Sequence, residues 1–314
     1  MRKALNRKLM ELASKDKNVM LLTADVGFKV FKEFRAKFPD QFINVGIAEA
    51  NMIGMASGLA LSNKTVFVYS IASFASMRCF EQIRVDLCYQ NLPVKIIGGG
   101  AGLVYGTAGA THQAIEDIGV MSSIPNMTVI APGDPIEVEL AVEKAMTLSG
   151  PCYIRIAKNG EKAVHNKNIE FQIGKAIEVL KGRRIVLVST GNMLNTAMEV
   201  RSILSDYEID CGVVSFHTIK PIDYEEIAGF RKNYELIVSI EEHSIYSGLG
   251  SRISNAITDH NLNIKLMKFG ILDEFPNIAG DQYYLREHYS LLPNQISSKI
   301  LDFVKAEAAK YKYE

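Results

Sequence analysis

The sequence predicts an α/β protein of two domains, each built on a mostly parallel sheet. Three observations carry that expectation. Short, continuous apolar runs recur along the 314 residues, and helical stretches separate them. Runs that are apolar on both strand faces and alternate with helices mark a parallel sheet covered on both sides. The pattern stops at a polar stretch opening with Lys158-Asn159-Gly160-Glu161-Lys162 and restarts after Gly174. A connection of roughly 15 residues is longer than is usual inside a domain. The expected division is a first domain at 1–160, a linker at 161–175 and a second domain at 176–314.

In chain order, Leu5, Leu9 and Leu12 share one face of an amphipathic helix over 5–13. Val19-Met20-Leu21-Leu22-Thr23 is a buried strand ending at the polar Ala24-Asp25. Residues 48–61 form a helix with Ile53, Ala56 and Ala60 at helical spacing, and its glycines let another backbone approach. Strands at 65–69, 94–97 and 127–130, helices at 73–90 and 135–148, and the strand Cys152-Tyr153-Ile154 complete the first half. In the second half, strands at 185–191, 211–215 and 236–240 alternate with helices at 193–205, 223–231, 248–259 and 294–310.

Composition narrows the class. Apolar residues make up 48%, charged residues 22%, and 35 basic side chains balance 35 acidic ones. Such a balance lacks the clustered basic surface that nucleic acid requires. No apolar run approaches the roughly 18 to 20 residues that cross a bilayer. The basic stretch Met1 to Lys8 is followed by no signal-peptide core. Cys79, Cys88, Cys152 and Cys211 are widely spaced, as in reduced thiols of a cytoplasmic protein. The expectation is a cytoplasmic enzyme subunit that meets neither nucleic acid nor membrane.

One carboxylate, Glu49, opens an otherwise small and apolar helix in Val45-Gly46-Ile47-Ala48-Glu49-Ala50-Asn51-Met52-Ile53-Gly54-Met55-Ala56-Ser57-Gly58-Leu59-Ala60. Taken alone, it is most simply a charge favoured at a helix N-terminus. A desolvated carboxylate must otherwise be paired or have its pKa raised. Further motifs follow in register. They are Tyr69-Ser70, Ser73-Phe74-Ala75-Ser76-Met77-Arg78, Phe80-Glu81-Gln82-Ile83-Arg84, Asn91-Leu92-Pro93-Val94, Gly109-Ala110-Thr111-His112-Gln113 and Glu116-Asp117. Ile124-Pro125-Asn126-Met127, Ala131-Pro132-Gly133-Asp134, His217-Thr218-Ile219-Lys220-Pro221 and Glu241-Glu242-His243-Ser244 continue the series. Together they span nearly the whole chain and resemble the C-terminal half of the thiamine-diphosphate enzymes of the transketolase family. That half is the short subunit of two-chain transketolases.

The resemblance implies a pyrimidine-binding domain followed by a transketolase C-terminal domain. It implies transfer of a two-carbon ketol unit from a ketose to an aldose. Glu49 would contact the cofactor's aminopyrimidine ring and promote proton loss there. Phe74 would stack on that ring, although transketolases space their aromatics three apart where this chain aligns Ala72, Ala75 and Arg78. Tyr69 and Arg78 would join the cofactor pocket. His112 would lie over the cofactor and meet substrate hydroxyls. Asp25 matches an Ala-Asp before the substrate channel, and either binds across a dimer interface or caps the next turn. Lys158 aligns with an arginine that binds substrate phosphate. Arg155 is its possible substitute, or both are surface charges. Glu116 and Asp117 either link to a partner site or form a solvated or capping pair.

Two departures point to an altered substrate. Gly100 and Ala108 stand where sugar-phosphate transketolases carry a histidine and an aspartate that recognise hydroxyls, so a deoxy, amino or otherwise modified sugar is expected. The glycines at 98–100 and 102 do not form a dinucleotide fingerprint. His217, Glu241, Glu242 and His243 lack a fixed ligand spacing and read as polar loops. The family's Gly-Asp-Gly element, which holds the diphosphate and Mg²⁺, is missing; the nearest string is Pro132-Gly133-Asp134-Pro135. Mg²⁺ would therefore be held mainly by an N-terminal transketolase-like subunit in an α₂β₂ heterotetramer, with this chain inactive alone. Two other functions stay open: a 1-deoxyxylulose-phosphate-synthase-like or 2-oxo-acid-decarboxylating enzyme, and a catalytically silent structural or regulatory subunit.

Overall fold

The computed structural model of the chain describes residues 1–158, 160–166 and 168–310. The first half lays down strands β1 (Val19–Thr23), β2 (Phe42–Asn44), β3 (Thr65–Ile71), β4 (Lys95–Gly99), β5 (Thr128–Ile130) and β6 (Cys152–Ile156). Around them run helices α1 (Arg2–Lys15), α2 (Lys32–Lys37), α3 (Glu49–Leu61), α4 (Ala72–Met77), α5 (Phe80–Gln82), α6 (Asp117–Ser123) and α7 (Pro135–Ala145). The strands pair in parallel in the order β5-β6-β4-β3-β1-β2. The apolar runs become strands because both faces are covered; β1, β4 and β6 are buried at every residue. Met52, Ala75 and Ile118 from α3, α4 and α6 pack over Val66, Val68 and Ile96 on one face. Leu5 and Leu9 of α1 and Val138 of α7 cover Phe67, Ile97 and Ile154 on the other.

The second half holds β7 (Ile177–Leu180), β8 (Arg184–Ser189), β9 (Cys211–Ser215), β10 (Thr218–Lys220), β11 (Tyr234–Ser244) and β12 (Lys265–Ile271). Its helices are α8 (Met193–Ser205), α9 (Tyr224–Phe230), α10 (Leu249–Asp259), α11 (Gln282–His288) and α12 (Pro293–Lys310). The sheet order is β12-β11-β8-β9-β7, parallel except at β7–β9. Strand β10 leaves this sheet and pairs antiparallel with β5, becoming the seventh strand of the first. One apolar cluster runs unbroken from Met52 and Ile96 through Val129 and Ile219 to Val188 and Leu249. No helix among the described residues is long and apolar enough to cross a membrane.

One local expectation needs correcting. The helix expected at 73–90 is broken: Cys79 leaves helical geometry at φ −120° and ψ 24°, and residues Ile83–Tyr89 form a π-helical turn. Ser76 Oγ donates to Ala72 O at 2.7 Å and Cys79 Sγ to Ala75 O at 3.3 Å. Side chains that bond back to the preceding turn in this way bend and interrupt helices. The polar connection has no helix or strand in its described part, yet it is tightly packed. Val164 and His165 donate their backbone N–H groups to Asp134, and Phe171 stacks on His217 at 3.9 Å.

Candidate active site

Six parallel strands direct their C-terminal ends to one edge of the first sheet, the edge at which open parallel sheets bind ligands. Glu49 opens α3 beyond β2, Phe74 and Arg78 follow β3, Tyr105 and His112 lie on the loop after β4, and Lys158 follows β6. Glu49 is 4% exposed. Its Oε1 accepts a hydrogen bond from Ser70 Oγ at 3.1 Å, and its Oε2 faces Arg78 Nη1 at 3.4 Å. The Arg78 guanidinium lies over the Phe74 ring, 3.6 Å from its centroid. Phe74 meets the His112 ring edge-on at 5.0 Å, and Tyr105 stands 6.4 Å beyond His112. Arg2 and Lys158 flank Tyr105, with Cζ and Nζ 5.4 and 5.7 Å from its ring centroid. The structure thus brings Glu49, Arg78, Phe74, His112 and Lys158 into one row.

The other sequence candidates stand apart. Strand alternation puts Val66, Val68 and Ser70 of β3 on the α3 side and Phe67 and Tyr69 on the opposite face. Tyr69 is therefore not in the Glu49 pocket. It packs edge-on against Phe31 at 4.9 Å, and burial pushes its phenol up to about 12. Ser70, one residue on, is the neighbour of Glu49; the period of two along β3 separates it from Tyr69 without saying which of them faces the pocket. Arg155 is not placed to bind substrate. It is 2% exposed, its Nε donates to Asp117 at 2.9 Å, and its Nη2 donates to the carbonyls of Ala114 and Glu242. Asp117 is neither solvated nor at a partner face; it is buried and also accepts from Tyr153 Oη at 2.7 Å. Asp25 is exposed at the same sheet edge, and its carboxylate accepts from Asn44 Nδ2 at 3.0 Å.

Glu241, Glu242 and His243 are not on a loop but buried on β11, and His217 is buried just beyond β9. Glu241 accepts from the Leu249 and Gly250 N–H groups that open α10. Asp134, the one aspartate of the Gly-Asp string, caps α7 through Glu137 N and binds the polar connection with its other oxygen.

Sequence reasoning missed Arg2 and Tyr105. Arg2 is 8% exposed; its Nη2 donates to Tyr105 Oη, and its Nε has no partner among the described residues. Nothing in the basic N-terminal stretch singled it out. Tyr105 fills the room above Gly100, where an added Cβ would lie 2.0 Å from the tyrosine ring. Gly100 also holds φ at +78°, a region that favours glycine.

The donor set fits an aminopyrimidine. Arg78 is a flat nitrogenous cation that already stacks on Phe74 and directs an N–H at Glu49. A stacked ring with a protonated or donating nitrogen would make the same two contacts. His112 has Nδ1 engaged by Thr111 Oγ1 at 2.9 Å, which leaves Nε2 for a ligand.

Comparison with known proteins gives the same picture. Residues 1–160 match the transketolase pyrimidine binding domain, and residues 174–296 match the transketolase C-terminal domain. A protein of Methanocaldococcus jannaschii described as a transketolase C-terminal section is 37% identical over 310 residues, covering 98% of this chain and 97% of that one. One of the subunits of the apulose-4-phosphate transketolase of Actinobacillus succinogenes is 36% identical over 258 residues, covering 82% and 83%. A solved split-gene transketolase, described as an inactive tetramer of β chains, superposes with a TM-score of 0.88 at 33% identity and covers 96% and 97% of the two chains. With its buried Glu49 pocket at the edge of the first sheet and both domains matched, the chain belongs to the transketolase family, thiamine-diphosphate-dependent transferases, as a C-terminal section.

Proposed function

We propose that the chain is the C-terminal subunit of a two-chain transketolase that transfers a two-carbon ketol unit from a ketose to an aldose. The row Ser70–Glu49–Arg78–Phe74–His112 carries this reading. Bound thiamine diphosphate supplies the carbanion chemistry that breaks and makes the carbon–carbon bond. Ser70 fixes Oε1 of Glu49, so that Oε2, which now faces Arg78, would be the oxygen to hold the pyrimidine ring and carry a proton there. Phe74 offers the stacking plane. Nε2 of His112 exchanges protons with sugar hydroxyls, a task suited to an imidazole nitrogen that can donate or accept a hydrogen bond.

Lys158 and Arg2 suit the anionic end of a sugar phosphate, because no carboxylate among the described residues pairs with either. A modified sugar phosphate is favoured by the phenol that fills the room above Gly100, and by a relative named for apulose-4-phosphate.

A partner subunit would grip the diphosphate and Mg²⁺, since Asp134 is committed to α7 and the connection. Open ground for another chain lies along α3. Ile47 just before it is 76% exposed, and an added Cβ at Gly54 or Gly58 meets no atom within 4 Å. Asp25 stands at the same edge and would reach across such an interface. The description of a related β-only tetramer as inactive supports the need for an N-terminal partner in an α₂β₂ assembly. Four free, buried cysteines suit the cytoplasm.

The test is to reconstitute the chain with an N-terminal transketolase subunit, thiamine diphosphate and Mg²⁺, and to screen ketose donors and aldehyde acceptors by mass. Transfer of a two-carbon fragment supports the assignment. Carbon dioxide release from pyruvate, or full turnover by this chain alone, overturns it. Unchanged turnover in Glu49→Gln would favour a silent subunit.

A further inference from the structure

The loop that carries Tyr105 and His112 belongs to the first domain, yet its two ends are fastened to the second. At its base, Gly102 and Ala114 exchange two backbone hydrogen bonds, each 3.0 Å. Leu103 N–H donates to Glu242 Oε2 at 3.1 Å, a contact made 139 residues away along the chain. Arg155 Nη2 bridges Ala114 O and Glu242 O at 2.9 and 2.8 Å, and Ser244 N donates to Ile115 O at 2.8 Å. Glu242 is 1% exposed, and its carboxylate is itself fixed by Gln282 Nε2 at 2.8 and 3.0 Å and by Arg286 Nε. A carboxylate buried this deeply persists only while such donors surround it. The loop is shaped to meet it: an added Cβ at Gly102, whose φ is +63°, would lie 2.4 Å from Glu242 Oε2.

Beyond this base, the loop tip touches the first domain mainly through side chains, by Ser73 Oγ to Thr111 O at 3.3 Å and by the ring contacts of His112 and Tyr105. Glu49, Ser70, Phe74 and Arg78 sit on α3, β3 and α4 or just beyond them, with no part in the clamp. We infer that Glu242 is a positioning residue for His112: the second domain sets the height of the loop over the cofactor pocket without touching the pocket itself. This rests on the reading that His112 acts in the transfer, but the clamp can be tested without it.

Two measurements do so. In hydrogen exchange on the full chain, Glu242→Ala should speed exchange of residues 101–115 about tenfold while 48–61 and 65–78 stay unchanged. In the reconstituted complex, kcat should fall by about ten- to a hundredfold, the effect of a small misplacement, with thiamine diphosphate affinity within about twofold of wild type. Glu242→Gln keeps an oxygen for Leu103 N–H and should fall between wild type and alanine in both. It also provides the answer if the alanine variant does not fold. Unchanged exchange at 101–115 overturns the clamp, as does exchange rising everywhere or affinity falling in step with kcat. A wild-type complex that transfers no two-carbon unit counts against the function alone, and the exchange data then decide the clamp.

Discussion

Replacing Arg155 with methionine separates an interior bolt from a substrate ligand. Arg155 and Asp117 are both buried, and the pair is joined at 2.9 Å. Methionine keeps the stem volume but strands the Asp117 carboxylate with the Tyr153 hydroxyl, 2.7 Å away, and the His243 ring, whose Nε2 stands 3.9 Å off. Breaking a buried pair from one side costs about 3–5 kcal/mol. The carbonyls of Ala114 and Glu242 each lose a donor as well, at about 1 kcal/mol apiece. The expected loss is roughly 5–7 kcal/mol, a large share of the 5–15 kcal/mol typical of a folded protein. Urea unfolding at pH 7, followed by circular dichroism, would measure it. Pairing the change with Asp117→Leu removes the stranded charge and should recover at least half of the loss. A single variant within about 1 kcal/mol of wild type would refute the bolt. If that variant also raised KM for a sugar phosphate, Arg155 would return as a ligand.

Other outcomes follow from the same geometry. In the reconstituted complex Phe74→Ala should weaken thiamine diphosphate by about tenfold, within the range of an aromatic stacking contact plus its buried area. Tyr69→Phe should leave that affinity unchanged, and the opposite ranking would restore Tyr69 to the pocket. Gly100→Ala should cost about 1–2 kcal/mol through its left-handed backbone alone and more through collision with Tyr105. Adding Tyr105→Ala should relieve the second part, so a strictly additive double mutant in thermal melts would count against that contact. Burial holds the His243 imidazole down, to about 4, and pushes the Glu241 carboxyl up, to about 7. From pH 4.5 to 6.5 the unfolded chain binds the His243 proton more readily, so that group adds stability as pH rises. Over the same range the folded chain binds the Glu241 proton more readily, so its contribution falls as pH rises, and the two slopes offset. His243→Asn should uncover a loss of up to about 1.4 kcal/mol per pH unit on going from 4.5 to 6.5, measured by urea unfolding; a flat profile would refute it.

Much of this molecule is legible in its sequence because buried parallel strands advertise themselves. Val19 to Thr23 and Cys211 to Ser215 are strands at the expected residues, since only strands covered on both sides tolerate such runs. Strand β10 is not legible: three residues with no apolar run pair where they do because β5 would otherwise end the sheet. The site divides in the same way. Glu49 and His112 lie in local motifs, which a single chain can display. Tyr69 and Arg155 sit close to the right residues in sequence, but facing and partners are tertiary facts. Alternation along β3 gives Tyr69 a face without saying which face holds the pocket. Arg155 meets Asp117 and Glu242 from 38 and 87 positions away, a meeting no spacing rule anticipates. Arg2 reaches Tyr105 across 103 positions, and no local pattern marks it.

Strand β10 ties the fates of the two halves together. Cut at the polar connection, the first domain would end its sheet at β5, with a row of unpaired backbone N–H and C=O groups where Thr218 and Lys220 now bond. Such an edge is a template for pairing with any passing strand, and proteins usually blunt it with charge, a bulge or a cover. Here the cover comes from later in the same chain. A ribosome that has finished residue 160 has made six strands of the first sheet but not their cap. The nascent domain must wait some sixty residues of synthesis, on the order of several seconds at usual rates of translation, before its edge closes.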